Sequence, residues 1–259
     1  MRRARLLTIG ALLATCALLV AGIAGIAGAA TVRVGTLVLR ADGGFTPRLL
    51  PKRTYAPIRF QGHAEIRTTN GTAPPALKRV RLDFDRDGRL TTAGLATCSP
   101  SAIESSTPKQ ARQACAAALV GSGHVGAAIS LPGRSRVDVT SPLSLFNGPR
   151  QGGNATVLAH AQTTFPSLQT YVMVVPVERL RSRHYGYRAT LDLPEIAGGY
   201  GALTHIDAKV GRSYRAAGAE RSYISARCSD GILETLGYVS FADGTVISGT
   251  VFKPCRAKP

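Results

Sequence analysis

Polar and apolar residues alternate along much of this chain with a period of two. Ile58, Phe60, Gly62, Ala64 and Ile66 interleave with Arg59, Gln61, His63, Glu65 and Arg67, a rhythm that only a strand with one buried face explains. After the turn-forming Asn70-Gly71 and Pro74-Pro75 the rhythm returns, with Val80, Leu82 and Phe84 set against Arg81, Asp83 and Asp85. Short runs over 125–131, 136–140, 155–162, 170–177, 187–193, 203–210, 222–228, 236–241 and 245–252 read the same way, each bounded by Gly, Pro, Asn or Asp. Val172-Met173-Val174-Val175 is apolar on both sides and predicts a central strand, with Pro176 near its end.

One segment departs from this rhythm. Thr107-Pro108-Lys109-Gln110 is a capping box with proline at the first helical position, and Ala111, Ala114, Cys115, Ala118 and Leu119 follow on one stripe before Gly121. The expectation is a mainly β protein: an antiparallel β-sandwich or jelly-roll-like domain over 57–256, with one short helix at about 107–120 and two disulfides. Asp42-Gly43-Gly44, Pro47 and Pro51 mark 30–56 as a loop-rich lead-in holding the first strand. Asp85-Arg86-Asp87-Gly88 before Cys98 echoes Phe241-Ala242-Asp243-Gly244 before Cys255, which would make two related β units, each with an Asp-Gly hairpin tip.

The N-terminus changes the picture. Arg2, Arg3 and Arg5 precede an uncharged run from Leu6 to Ala30, and Ala27 and Ala29 supply an A-x-A site, so 1–29 reads as a secretory signal. The alternative is an uncleaved anchor, since the run exceeds the roughly 20 residues that span a bilayer. Cys16 falls in this segment. Cys98, Cys115, Cys228 and Cys255 remain, an even set in a chain bound for an oxidising compartment. Four cysteines allow three pairings, of which the local one joins Cys98 to Cys115 and Cys228 to Cys255. Such loops stabilise by roughly 3 and 3.5 kcal/mol on the chain-entropy estimate. A zinc site would need C-x-x-C spacing that is absent.

The formal charge of +17 falls to about +14 without the three signal arginines. A basic protein beyond the membrane meets wall polymers, acidic polysaccharide or phospholipid heads before nucleic acid, although arginine also solubilises a surface that has no partner. A membrane enters only through an uncleaved signal, and the oligomeric state is open. With no tryptophan and few aromatics, the chain lacks the stacking platform of a neutral-carbohydrate binder.

Candidate chemistry is sparse. Asp83, Asp85, Asp87 and Gly88 spell the opening of a calcium loop, but the twelfth position, which an EF-hand fills with Glu, is Gly94. A looser calcium turn or a carboxylate pair for glycoside hydrolysis are the sharper readings, and an exposed strand face running into a turn is the plain one. His63, Glu65 and Arg67 project from one strand face and combine a base, a carboxylate and a cation. His124, His160, His184 and His205 lack metal-site spacing, and Gly121-Ser122-Gly123-His124 is not a nucleophile elbow. Arg179, Arg181, Arg183, Tyr185 and Arg188 form the densest basic and aromatic run, suited to phosphate or sugar-acid groups or simply a solvated hairpin.

Tyr55-Ala56-Pro57-Ile58, Pro74-Pro75-Ala76-Leu77, Gly94-Leu95-Ala96-Thr97-Cys98, Phe146-Asn147-Gly148, Ser222-Tyr223-Ile224-Ser225-Ala226-Arg227-Cys228 and Phe241-Ala242-Asp243-Gly244-Thr245, with the run 118–123, resemble a group of secreted proteins of soil actinobacteria that has no established activity. The resemblance spans most of the chain after the signal. It implies export, disulfides and a β-rich fold, and no mechanism. The resulting expectation is an exported non-catalytic protein of the envelope or medium that binds an anionic polymer or surface without a cofactor. The alternatives are an extracellular hydrolase on a β scaffold, with His63, Glu65, Asp83 and Asp85 as its candidates, and a calcium-dependent adhesion module.

Overall fold

Strand alternation governs the computed structural model, which describes residues 28–258. The signal predicted over 1–29, Cys16 included, lies outside the described residues except for its last two positions. In chain order the strands are β1 (Ala30–Val34), β2 (Leu37–Thr46), β3 (Leu49–Pro51), β4 (Ala56–Pro57), β5 (Arg59–Thr68), β6 (Leu77–Asp85) and β7 (Gly88–Leu90). The helix α1 (Pro108–Ala114) precedes β8 (Leu119–Ile129), β9 (Val137–Gln151), β10 (Asn154–Thr163), β11 (Gln169–Arg179), β12 (Tyr185–Asp192) and β13 (Gly201–Val210). The last are β14 (Ser213–Ala216), β15 (Ala219–Ser222), β16 (Ile224–Ala226), β17 (Ile232–Phe241), β18 (Val246–Pro254) and β19 (Arg256–Lys258).

Twelve of these strands form one antiparallel sheet in the order β1-β2-β5-β13-β8-β9-β10-β11-β12-β6-β17-β18. The sheet curls until its two edge strands, β1 and β18, lie against each other without a ladder of hydrogen bonds between them. Leu37, Leu39 and Ile66 from one end pack with Leu77, Val239, Phe241 and Ile247 from the other. Small residues permit the approach: a Cβ on Gly249 would already touch Val32 and Ala30 of β1. Phe60 and Phe84 meet edge-to-face across the interior at 6.0 Å. The two layers are therefore one sheet folded over, not two separate sheets.

The predicted helix starts as its capping box requires, with Gln110 N donating to Thr107 Oγ1 at 3.3 Å and Thr107 N donating to Gln110 Oε1 at 3.0 Å. It is shorter than expected. α1 ends at Ala114, a 3-10 turn covers Ala116–Ala118, and β8 begins at Leu119. Gly121 is thus no helix stop but a strand residue, where a Cβ would collide with the backbone of β13. Ala111, Cys115 and Ala118 pack on Phe146 and Leu158, so the helical segment covers the outer face of β9 and β10. The bond from Cys98 to Cys115, with Cα atoms 5.5 Å apart, clamps that cover. The short strands β3, β4, β7, β16 and β19 stand outside the main sheet as a cap at one end of the barrel, and Cys228 and Cys255, with Cα atoms 6.0 Å apart, cross-link it beside Phe45 and Leu50. Both bridges follow the local pairing, and disulfides of this kind belong to an oxidising compartment.

Two expectations need correction. Residues 30–56 are not a loop-rich lead-in: β2 runs through Asp42-Gly43-Gly44 between β1 and β5. A Cβ on Gly43 would lie 3.1 Å from Gln61 O, so the glycine serves close strand approach instead of a turn. The two Asp-Gly turns are also not equivalent. Asp243-Gly244 closes the β17–β18 hairpin, whereas the chain after Asp87 leaves the main sheet as β7 and pairs with β16. No pair of matching β units results.

Candidate functional site

On β5 the alternation sends His63, Glu65 and Arg67 outward, and all three line a cleft of about 470 Å³ with Thr68, Thr72 and His205. His63 Nδ1 lies 2.7 Å from Asp207 Oδ1, directly across on β13. Glu65 faces His205 in the next row. The imidazole of His205 fills the space that a Cβ on Gly126 of β8 would need. Arg136 forms one wall, held by two bonds to the Asp138 carboxylate at 2.8 and 3.1 Å and by a third to Gly71 O at 3.3 Å. The cleft therefore joins an oriented imidazole to carboxylates and guanidiniums at the sheet surface. Asp207 and His205 were missed from the sequence because their partners are 144 and 140 positions away, beyond any local pattern.

Asp83, Asp85 and Asp87 do not join this cleft, and each takes protein donors. Asp83 is buried and accepts a fork of two bonds from Arg188, at 2.7 and 2.8 Å. Asp85 accepts the backbone N–H groups of Asp87 at 2.8 Å and Glu234 at 3.0 Å, and burial still pushes its carboxyl up to about 6. Asp87, also buried, accepts from Arg227 Nε and Ser229 N, both at 2.8 Å. Burial opposes its charge, yet those donors hold its carboxyl below the usual carboxylate range. The D-x-D-x-D-G run thus pins β6 to β12, β17 and the cap through carboxylates that point to different partners. Among the described residues no three His, Cys, Asp or Glu side chains gather closely enough to hold a metal ion.

The basic run of 179–188 forms the β11–β12 hairpin. Arg188 is committed to Asp83, and burial, with Glu234 nearby, pushes the Tyr185 phenol up to about 12. Arg179, Arg181 and Arg183 are exposed and form no ion pair among the described residues. A fourth cation joins them: Arg86 N donates to His184 O at 2.9 Å, and Arg86 Nη1 donates to Arg183 O at 3.0 Å. Arg86 lies far from the run in sequence, so no local pattern announced it.

Comparison with known proteins gives no match, whether to family models, curated proteins or solved structures.

Proposed function

We propose that this is an exported, non-catalytic protein of the cell envelope or medium that binds an anionic polymer or surface through the hairpin end of its barrel. The observation that carries the reading is the group of four exposed arginines, Arg86, Arg179, Arg181 and Arg183, two of them linked through the backbone and none neutralised by a carboxylate. Export is supported by the basic start, the uncharged run after it and the two disulfides. β1 begins at Ala30, so cleavage after Ala29 would leave every described strand intact.

Retention of the full chain on purified wall fractions across a salt series tests this. Exposed charges are screened within about 8 Å at physiological ionic strength, so retention is expected to fall as salt rises and to fall further in R181E/R183E. Salt-independent retention, or none, overturns the reading.

A second reading follows from the cleft. His63 with Asp207, beside Glu65, has the base and orienting group of an extracellular hydrolase. Incubating the retained polymer with the chain should then release fragments, and H63N should stop release while leaving retention unchanged.

A further inference from the structure

Beyond the hairpin, two small sheets of short strands, β7-β16-β4 and β3-β19, cross the same end of the barrel in a row and are joined by one backbone hydrogen bond. β7 pairs with β16, with Arg89 opposite Ser225, and β16 pairs with β4, with Ala226 opposite Ala56. Cys228 N donates to Pro51 O at 2.9 Å, and β3 pairs with β19, with Arg256 opposite Leu49 and Lys258 opposite Pro51. Arg86 stands just ahead of the first strand of the row and Lys258 ends the last. Three strand steps of ~4.8 Å make the row roughly 15 Å across before the hairpin is added.

The cations follow this row. Arg89, Lys52, Arg53, Arg48, Arg256 and Lys258 are exposed, and none forms an ion pair among the described residues. The carboxylates beneath the row are already engaged, Asp87 by Arg227 and Ser229 and Asp85 by two backbone donors; Asp230 is exposed at its margin. The outer face of β5 differs, since there Arg67 stands 3.9 Å from Glu65 and Arg136 pairs with Asp138.

We infer that the row is a track for a linear polymer with phosphate in its backbone, running from the hairpin arginines to Lys258. The inference rests on the polyanion reading above and adds the polymer class, its path and a length requirement. Cations strung along a line suit a chain, since a small anion would touch only one or two of them. Arginine predominates on the track, and its planar fork matches phosphate oxygens bidentately. Bases of a single-stranded nucleic acid would need open aromatic faces. Tyr55, the aromatic in the middle of the track, instead has the guanidiniums of Arg89 and Arg227 each 5.3 Å from its ring centroid. The bond between Cys228 and Cys255 ties the strands together, so the track is formed before any ligand arrives.

Calorimetric titration of the full chain with tripolyphosphate, long-chain polyphosphate, polyglutamate and oligothymidine tests this at one fixed salt concentration. Contact with both ends of the track should make the long polyphosphate bind roughly a hundredfold tighter per phosphate than tripolyphosphate. R53E/R256E should remove most of that gain while weakening tripolyphosphate binding by a much smaller factor, and R181E/R183E should weaken both. The neutral pair R53Q/R256Q, checked for an unchanged melt, should give a smaller loss in the same direction. Binding without length dependence, or a full gain in R53E/R256E, overturns the track and leaves the polyanion reading standing. Equal or tighter binding of polyglutamate or oligothymidine overturns the polymer class. Absence of binding to every polyanion overturns the track and the polyanion reading together.

Discussion

The outer face of the same sheet meets two different fates. Over β9 and β10 it lies beneath the helical cover, where Phe146 and Leu158 are buried and His160 is fully enclosed, its Nε2 2.9 Å from Ser106 O. Over β5 and β13 it is bare, and His63 stands in water beside Asp207, their side chains 43% and 52% exposed. Strand geometry is alike in both places, so the cover alone decides whether an outward histidine is a core group or a surface group. The sequence follows suit in part: beneath the cover Phe146 and Leu158 stand beside the small or hydrogen-bonded Ser144, Thr156 and His160, all buried, whereas on β5 charged residues alternate with apolar ones.

This contrast can be broken in graded ways. Phe146→Ala should cost about 3–5 kcal/mol in denaturant unfolding, because a large ring leaves a closed site that cannot collapse. A loss below 1 kcal/mol would mean that the cover is loose. C98S/C115S, which frees the cover without touching the bare face, should cost about 3 kcal/mol by the loop estimate. It should also speed hydrogen exchange at His160 and not at His63.

The pH dependence sharpens the comparison further. Burial lowers the His160 pKa below its ordinary value of about 6.5. The unfolded chain therefore takes up a proton there that the fold refuses, and this contribution to stability is lost as pH drops below about 6.5. Asp85 acts with the opposite sign. Its carboxyl, raised from about 3.8 to about 6, binds a proton more tightly in the fold, so its contribution improves as pH falls through 6 toward 4. H160Q should flatten the first slope and D85N the second, read as denaturation midpoints at pH 7, 6 and 5. Both slopes surviving in the double variant would refute the assignment.

On the bare face, H63Q should alter stability by no more than about 0.5 kcal/mol, the scale of an exposed pair. The smallest expected effect concerns metal: calcium or a chelator should leave the melt unchanged, because Asp83, Asp85 and Asp87 already accept from protein donors. A shift of several degrees in chelator would restore the calcium turn.

What could be read in advance follows the range of each interaction. The rhythm of β5, the apolar β11 and the capping box of α1 are local, and residues 58–66, 172–175 and 107–110 reveal them directly. The cystine partners were legible too, because each pair is close in sequence. Asp87-Gly88 misled because its carboxylate is claimed by Arg227 and its strand by β16, both from the far end of the chain. Gly43 misled because a glycine that serves a close approach is spelled the same as one that serves a turn. Of the candidate sites, the His63 face was legible as a face, while Asp207, His205 and Arg86 needed the tertiary pairing.

Curling one sheet until β18 reaches β1 makes completion of the barrel wait on β17 and β18, which follow every other strand of that sheet along the chain. A chain emerging from its N-terminus holds Leu37, Leu39 and Ile66 ready for Ile247, which arrives some two hundred residues later. Until then a broad greasy surface stays open to wrong neighbours, and so distant a pairing is intrinsically slow to form. Truncating the tail before β18 should therefore yield a sticky, unclosed species and not a slightly smaller barrel.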